Sequence, residues 1–211
     1  MKPLLTIMTG PQGSGNHLFS KALGQNPNIY CWPALQNKYW IGHDKEPFAK
    51  YWKDTKSLGE FNWTQSDHFV TSISCPYFDD GIESIPKYHG FIKEASRYAD
   101  VQLLILGRDQ TILKHQQERV RSKSTISTFL ESLPSLIELY KITFASQEML
   151  YLYGLTYLNY IEAQLGIYNY QCTQDDCMLQ QILAKDANEK YISSISENWL
   201  DSHIIKASSK S

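Results

Sequence analysis

The sequence predicts an α/β fold with a central, mainly parallel sheet flanked by helices. Two short apolar runs, Leu4–Thr9 (LLTIMT) and Val101–Leu106 (VQLLIL), each stop at a glycine, as buried strands of a parallel sheet do. A helical pattern begins soon after each run, and strands alternating with helices select the α/β class. The first run leads into Gly10-Pro11-Gln12-Gly13-Ser14-Gly15 and then NHLFSKAL, where Leu18, Phe19, Ala22 and Leu23 recur at helical spacing. Gly24 and Pro27 end that helix.

The remaining elements follow from period and punctuation. Ile29–Trp32 reads as a short strand, and Phe48, Tyr51 and Trp52, spaced i, i+3, i+4, as a short amphipathic helix. Asp67–Pro76 alternates and is β-branched, so it reads as a strand; Glu94–Tyr98 closes a helix. Gln110–Arg121 is a polar helix, Ser132–Ser146 a second, Met149–Tyr153 a strand, and Thr156–Leu165 an amphipathic helix stopped by Gly166.

Composition bounds the function. A chain of 211 residues suits one domain, and 42% hydrophobic content with 8 Phe, 5 Trp and 14 Tyr supplies a packed core. Twenty Lys+Arg against 22 Asp+Glu gives a net charge of −2, which argues against nucleic acid or an anionic membrane as partner. No apolar run approaches the roughly 20 residues of a membrane span, and the start does not read as a secretory signal. Cys31, Cys75, Cys172 and Cys177 are too scattered for a disulfide framework or a zinc site. We expect reduced thiols, no metal and a cytoplasmic globule.

The glycine loop carries the chemical signal. Residues 10–15 match the G-x-x-x-x-G half of a P-loop, between a strand and a helix. Glycines there let backbone N–H groups converge on an anion at the positive end of the following helix. A strand-to-helix turn that binds nothing is the alternative. A triphosphate-binding loop continues with Lys and Ser/Thr, for the β/γ-phosphates and Mg²⁺. Here Asn16 and His17 stand there, and the second apolar run leads into Arg108 rather than an acid. That pattern fits a less highly charged nucleotide without a metal.

GPQGSGNHLF resembles the 5′-phosphosulfate loop of P-loop sulfotransferases, G-x-P-R-S-G-T-S-L-L, with Ser14-Gly15 in register. DVQLLILGRDQTILKHQQER resembles the same family's strand–Arg-Asp–helix segment, with Arg108 and Gln116 at the Arg and Ser that grip the donor's 3′-phosphate. SISCPYF with IPKYHGF resembles its K-T-P-x-Y … I-P-K stretch, and MLYLYGLTYLNYIEAQLGI its later strand–helix–Leu-Gly stretch. The chain departs at Gly13, Ser74, Gln110 and Gly154, where the family has a basic residue, Lys, Pro and an acid.

The resemblance implies a three-layer P-loop nucleoside-triphosphate-hydrolase-like fold over residues 1–205, with 206–211 a frayed tail. It also implies 3′-phosphoadenosine-5′-phosphosulfate as donor, held by Gln12, Gly13, Ser14, Gly15, Asn16, His17, Leu18, Arg108 and Gln116. The sulfuryl group would pass to a hydroxyl or amine of a small-molecule or carbohydrate acceptor. A general base is needed, and His17, His43, Glu46 and His68 are the candidates; His43 and Glu46 lie where the resemblance places an acceptor-side group and rank first. The aromatic stretch from Tyr39 to Trp63 could line an acceptor pocket or pack as core. Two rivals stay open: a nucleotide or nucleoside kinase, and a catalytically inactive nucleotide-binding interaction domain.

Overall fold

A computed structural model describes residues 2–36, 38, 41–79, 82–167 and 177–184. In chain order β1 (Leu4–Gly10) leads through the glycine loop to α1 (Asn16–Leu23), β2 (Ile29–Tyr30), α2 (Ala49–Lys53) and β3 (His68–Ser74). An antiparallel hairpin follows, β4 (Tyr77–Asp79) with β5 (Ile82–Ser84), then α3 (Tyr88–Ala95) and β6 (Asp100–Gly107). The described chain continues with α4 (Gln110–Arg121), α5 (Ile126–Leu139), β7 (Ile142–Ser146), α6 (Gln147–Gln164) and α7 (Cys177–Leu183). The main sheet has the order β2-β3-β1-β6-β7, and every pairing in it is parallel. The glycine loop therefore leaves the central strand, between the carboxyl ends of β3 and β6.

Period-two alternation divides the interior between the two faces of the sheet. Leu5 and Ile7 of β1 point into a cluster with Phe48, Trp52, Phe91 and Leu103, whereas Met8 points into one with Phe19, Leu23, Trp32 and Leu104. The aromatic stretch belongs to the first cluster. Trp52 stacks on Phe91 of α3 at 3.8 Å, and Phe61 lies 4.3 Å from Phe48 and 5.0 Å from Trp63. Phe48, Tyr51 and Trp52 are buried. From Phe48 to Trp63 this stretch is core rather than an open acceptor pocket; Tyr39 and Trp40 lie outside the described residues.

Two sequence expectations are corrected. Helix α5 covers Ile126–Leu139 rather than 132–146, with Pro134 inside it, and its last expected turn is instead β7. The expected strand Met149–Tyr153 is helix, the opening of α6, whose N-cap is Ser146 accepting from the Met149 N–H. The misreading has a physical cause. Only Leu150 of that run is buried, while Met149, Tyr151, Leu152 and Tyr153 are apolar but exposed, so the helical period is erased. Thr156–Leu165 agrees with the last turns of α6, beyond a non-helical Gly154.

Strand β2 is too short to cover β3, pairing only with His68 and Phe69. Beyond it the Ser72 N–H donates instead to Glu46 Oε1 at 3.3 Å, while the Phe48 N–H donates to Oε2 at 2.8 Å. Glu46 thus completes the edge of the sheet with a side chain and ties down residues 43–48. Burial pushes its carboxyl up to about 8, against hydrogen bonds from Thr71, Phe48 and Ser72 that favour the charged form.

Two measurements check these readings. Phe91→Ala should cost about 3–5 kcal/mol in denaturant unfolding, because the ring is fully buried and stacked on Trp52. Glu46 holds a proton in the folded state that the unfolded chain releases above its ordinary 4.5. Its contribution to stability is therefore greatest below that value and falls as pH rises towards about 8. The Tm of the wild-type protein should drop across this window relative to the Glu46→Gln variant; parallel profiles would contradict the buried-carboxyl account.

Candidate functional site

The site begins where β1 gives way to α1. Gly13 at φ +85° and Gly15 at φ +112° occupy left-handed backbone that side chains other than glycine resist, and these two residues bend the loop around its own amides. The first helical bond is from the Phe19 N–H to the Gly15 carbonyl. The N–H groups of Asn16, His17 and Leu18 lie ahead of it and have no partner within the helix. Together with the helix dipole they make a seat for an anion.

Two of the loop's carbonyls are held by side chains from distant segments. Arg108, just beyond β6, donates from Nη1 to the Gly13 carbonyl at 2.9 Å and also to Gln116 Oε1 of α4. Gln117, fully buried, donates from Nε2 to the Gln12 carbonyl and accepts the Thr125 N–H at 2.7 Å. The structure therefore brings Arg108 and Gln116 against the loop, although 95 residues separate Gly13 from Arg108. Gln117 has no counterpart in the sequence reading; a second buried glutamine beside Gln116 carries no signal until its distant carbonyl partner is known.

Three polar atoms at the loop are buried without a hydrogen-bond partner: Gln12 Oε1, Ser14 Oγ and Asn16 Oδ1. Ser14 is 1% exposed and can donate from its hydroxyl. Asn16 Nδ2 donates to Ser74 Oγ at 2.9 Å. Turning that amide over keeps the contact, with the Ser74 hydroxyl donating to Oδ1, and presents Nδ2 in place of the orphaned oxygen. Leu18 is half-buried and packs its side chain on the core around Met8, so only its N–H faces the seat's chemistry.

The acid–base candidates separate into two places. His17 lies edge-on to His43, ring centres 4.7 Å apart, and both rings lie against Trp32 at 5.0 and 5.3 Å. His17 Nε2 donates to the Ile41 carbonyl at 2.9 Å, which leaves the lone pair of the neutral ring on Nδ1. Burial holds its pKa below the usual histidine value; the Ile41 contact opposes this and Lys21 adds to it. Glu46 is instead inside the β3 edge as described, 5% exposed. Of the other charges on α4, Lys114 lies 3.9 Å from Glu118, and Lys123 beyond it pairs with Glu83 at 2.6 Å. Glu148 of α6 accepts the Asp109 N–H at 2.9 Å, linking the start of α6 to the Arg108 turn. Among the described residues no three His, Cys, Asp or Glu side chains group to hold a metal ion, and no helix is long and apolar enough to cross a membrane.

No protein-family model and no curated protein matches the chain. Solved structures do. The sulfotransferase domain of the olefin synthase of a Synechococcus superposes with a TM-score of 0.51 at 14% identity, over 90% of this chain and 80% of that one. A mouse sulfotransferase complexed with PAP gives 0.44 at 14% identity, over 84% and 62% of the two chains. A sulfotransferase from Alicyclobacillus acidocaldarius gives 0.45 at 12%, over 90% and 98%. The five-stranded parallel sheet with its flanking helices is the fold of the Synechococcus sulfotransferase domain.

Proposed function

We propose that the chain is a sulfotransferase, binding 3′-phosphoadenosine-5′-phosphosulfate at the glycine loop and passing its sulfuryl group to a hydroxyl or amine of a small-molecule or carbohydrate acceptor. The observation that carries this reading is the pairing of the amides of Asn16–Leu18 with the Arg108–Gln116 pair, against one loop. It suits a ligand with anions at both ends. The donor supplies a sulfuryl group on a phosphate leaving group.

The residues present fit such a donor. The orphaned Ser14 hydroxyl and the reversible Asn16 amide offer hydrogen bonds to an anion, and Gly13 and Gly15 supply the left-handed backbone that turns the loop. Arg108 offers a planar fork suited to a phosphate. Asn16 and His17 stand where a magnesium nucleotide would need Lys and Ser/Thr, which disfavours the kinase reading. The amides, already oriented, stabilise negative charge on the leaving phosphate without reorganising.

We assign proton transfer to His17. It is kept neutral by burial, and its tautomer is set by the Ile41 carbonyl so that Nδ1 accepts. His43 packs against it and limits its rotation. Glu46 acts at a distance by anchoring the segment that carries His43.

Two experiments test the reading. Adenosine 3′,5′-bisphosphate at 100 times its Kd should stabilise the protein by about 2.7 kcal/mol in a thermal-shift assay. Arg108→Ala should abolish that shift and Arg108→Lys weaken it. Stabilisation by magnesium ATP instead would return the kinase reading, and by neither ligand the interaction-domain reading. In turnover, kcat/KM should fall on acidification through an acid limb below pH 6.5, the ordinary histidine value, because His17 titrates beneath it. That limb should be missing in His17→Gln; its persistence would remove His17 from the proton path.

A further inference from the structure

Helix α6 turns an uncharged face to solvent. From Met149 to Ile161 it carries no Asp, Glu, Lys or Arg. Leu150, Leu158 and Ile161 of this helix fill the core cluster around Met8. Yet Leu152 is 66% exposed, Tyr153 57% and Tyr160 54%, and Met149 and Thr156 are exposed as well. Met149, Leu152 and Tyr153 stand at i, i+3, i+4 before the non-helical Gly154, and Thr156 and Tyr160 at i, i+4 after it. A helix apolar all round is ordinarily covered on every side, and an exposed apolar face marks a surface that another element occupies.

The last described helix stops beside this face. α7 packs on α1 and α6, and a methyl of its Leu183 lies 3.8 Å from where a side chain on Gly154 would begin. Residues 185–211 follow, outside the described residues, and within them 190–205 has the sequence pattern of an amphipathic helix. Ile192, Ile195 and Trp199 recur at i, i+3, i+7, while Lys190, Glu197 and Asp201, at i, i+7, i+11, fall on the opposite side. The linking residues 185–189 reach ~18 Å when extended. The uncharged face runs only about 9 Å along α6 to either side of Gly154.

We propose that residues 190–205 dock on α6 as an amphipathic helix, with Ile192, Ile195 and Trp199 on the face of Leu152, Tyr153 and Tyr160 and with their charges towards water. A segment tethered by so short a link is held at an effective concentration in the millimolar range, which favours it over a second copy of the chain. It backs the helix whose first turn, through Glu148, braces the Asp109 N–H next to Arg108.

Hydrogen exchange of the full chain, read by mass spectrometry, tests the docking. Amides of residues 192–203 should exchange at least about tenfold more slowly than those of an unstructured chain. Leu152→Glu and Tyr160→Lys, both at exposed positions of α6, should each return that segment to the unstructured rate. Trp199→Glu should do the same from the other partner. The amides of β6 should stay protected in all three variants, which certifies that each is folded. The proposal falls if residues 192–203 exchange freely in the wild-type chain, or if their protection survives both α6 variants. It falls equally if protection appears only as protein concentration is raised, which would make a second copy the occupant of the face.

Discussion

The hydrogen bond from Arg108 to the Gly13 carbonyl is the constraint on which the candidate site depends. A loop that gathers amide N–H groups on one side must dispose of its carbonyls on the other, and in a buried setting each needs a donor. Arg108 meets one carbonyl and Gln117 its neighbour, so α4 and the end of β6 fix the shape of the loop. The same guanidinium is thereby fixed beside the seat rather than left on a mobile side chain. The favourable geometry of the loop is accordingly a property of two distant segments, and it requires β1 and β6 to be neighbours in the sheet.

The opposite edge shows a different solution. Strand β2 covers only the beginning of β3, and a carboxyl replaces the missing strand further along. This places a titratable group where a backbone carbonyl would ordinarily sit, at a cost in desolvation. In return the segment bearing His43 is attached to the sheet, close to α1 and the loop. Packing of His17, His43 and Trp32 then carries that attachment to the loop's helix.

The loop, β1, β6 and α4 were legible because each announces itself locally: apolar runs, glycines in series, and an Asp109 whose side chain accepts the Ile112 N–H at the start of α4. The register of β7 and α6 was not, since exposed Tyr151, Leu152 and Tyr153 mimic a buried strand. Gln117 and Glu46 illustrate a second limit. Their side chains satisfy backbone groups far away in the chain, and nothing in neighbouring residues records such a need. The aromatic stretch was ambiguous for a third reason, because rings that pack on one another and rings that line a pocket have the same composition.

Pro134 lies in the middle of α5, one residue past Leu133. Having no N–H, it leaves the carbonyl of Leu130 without its usual rung in the ladder. The turn from Leu130 to Pro134 thus lacks one rung of the helical ladder. A turn lacking one rung bends more readily than the rest of its helix, so α5 takes up its curvature at this point.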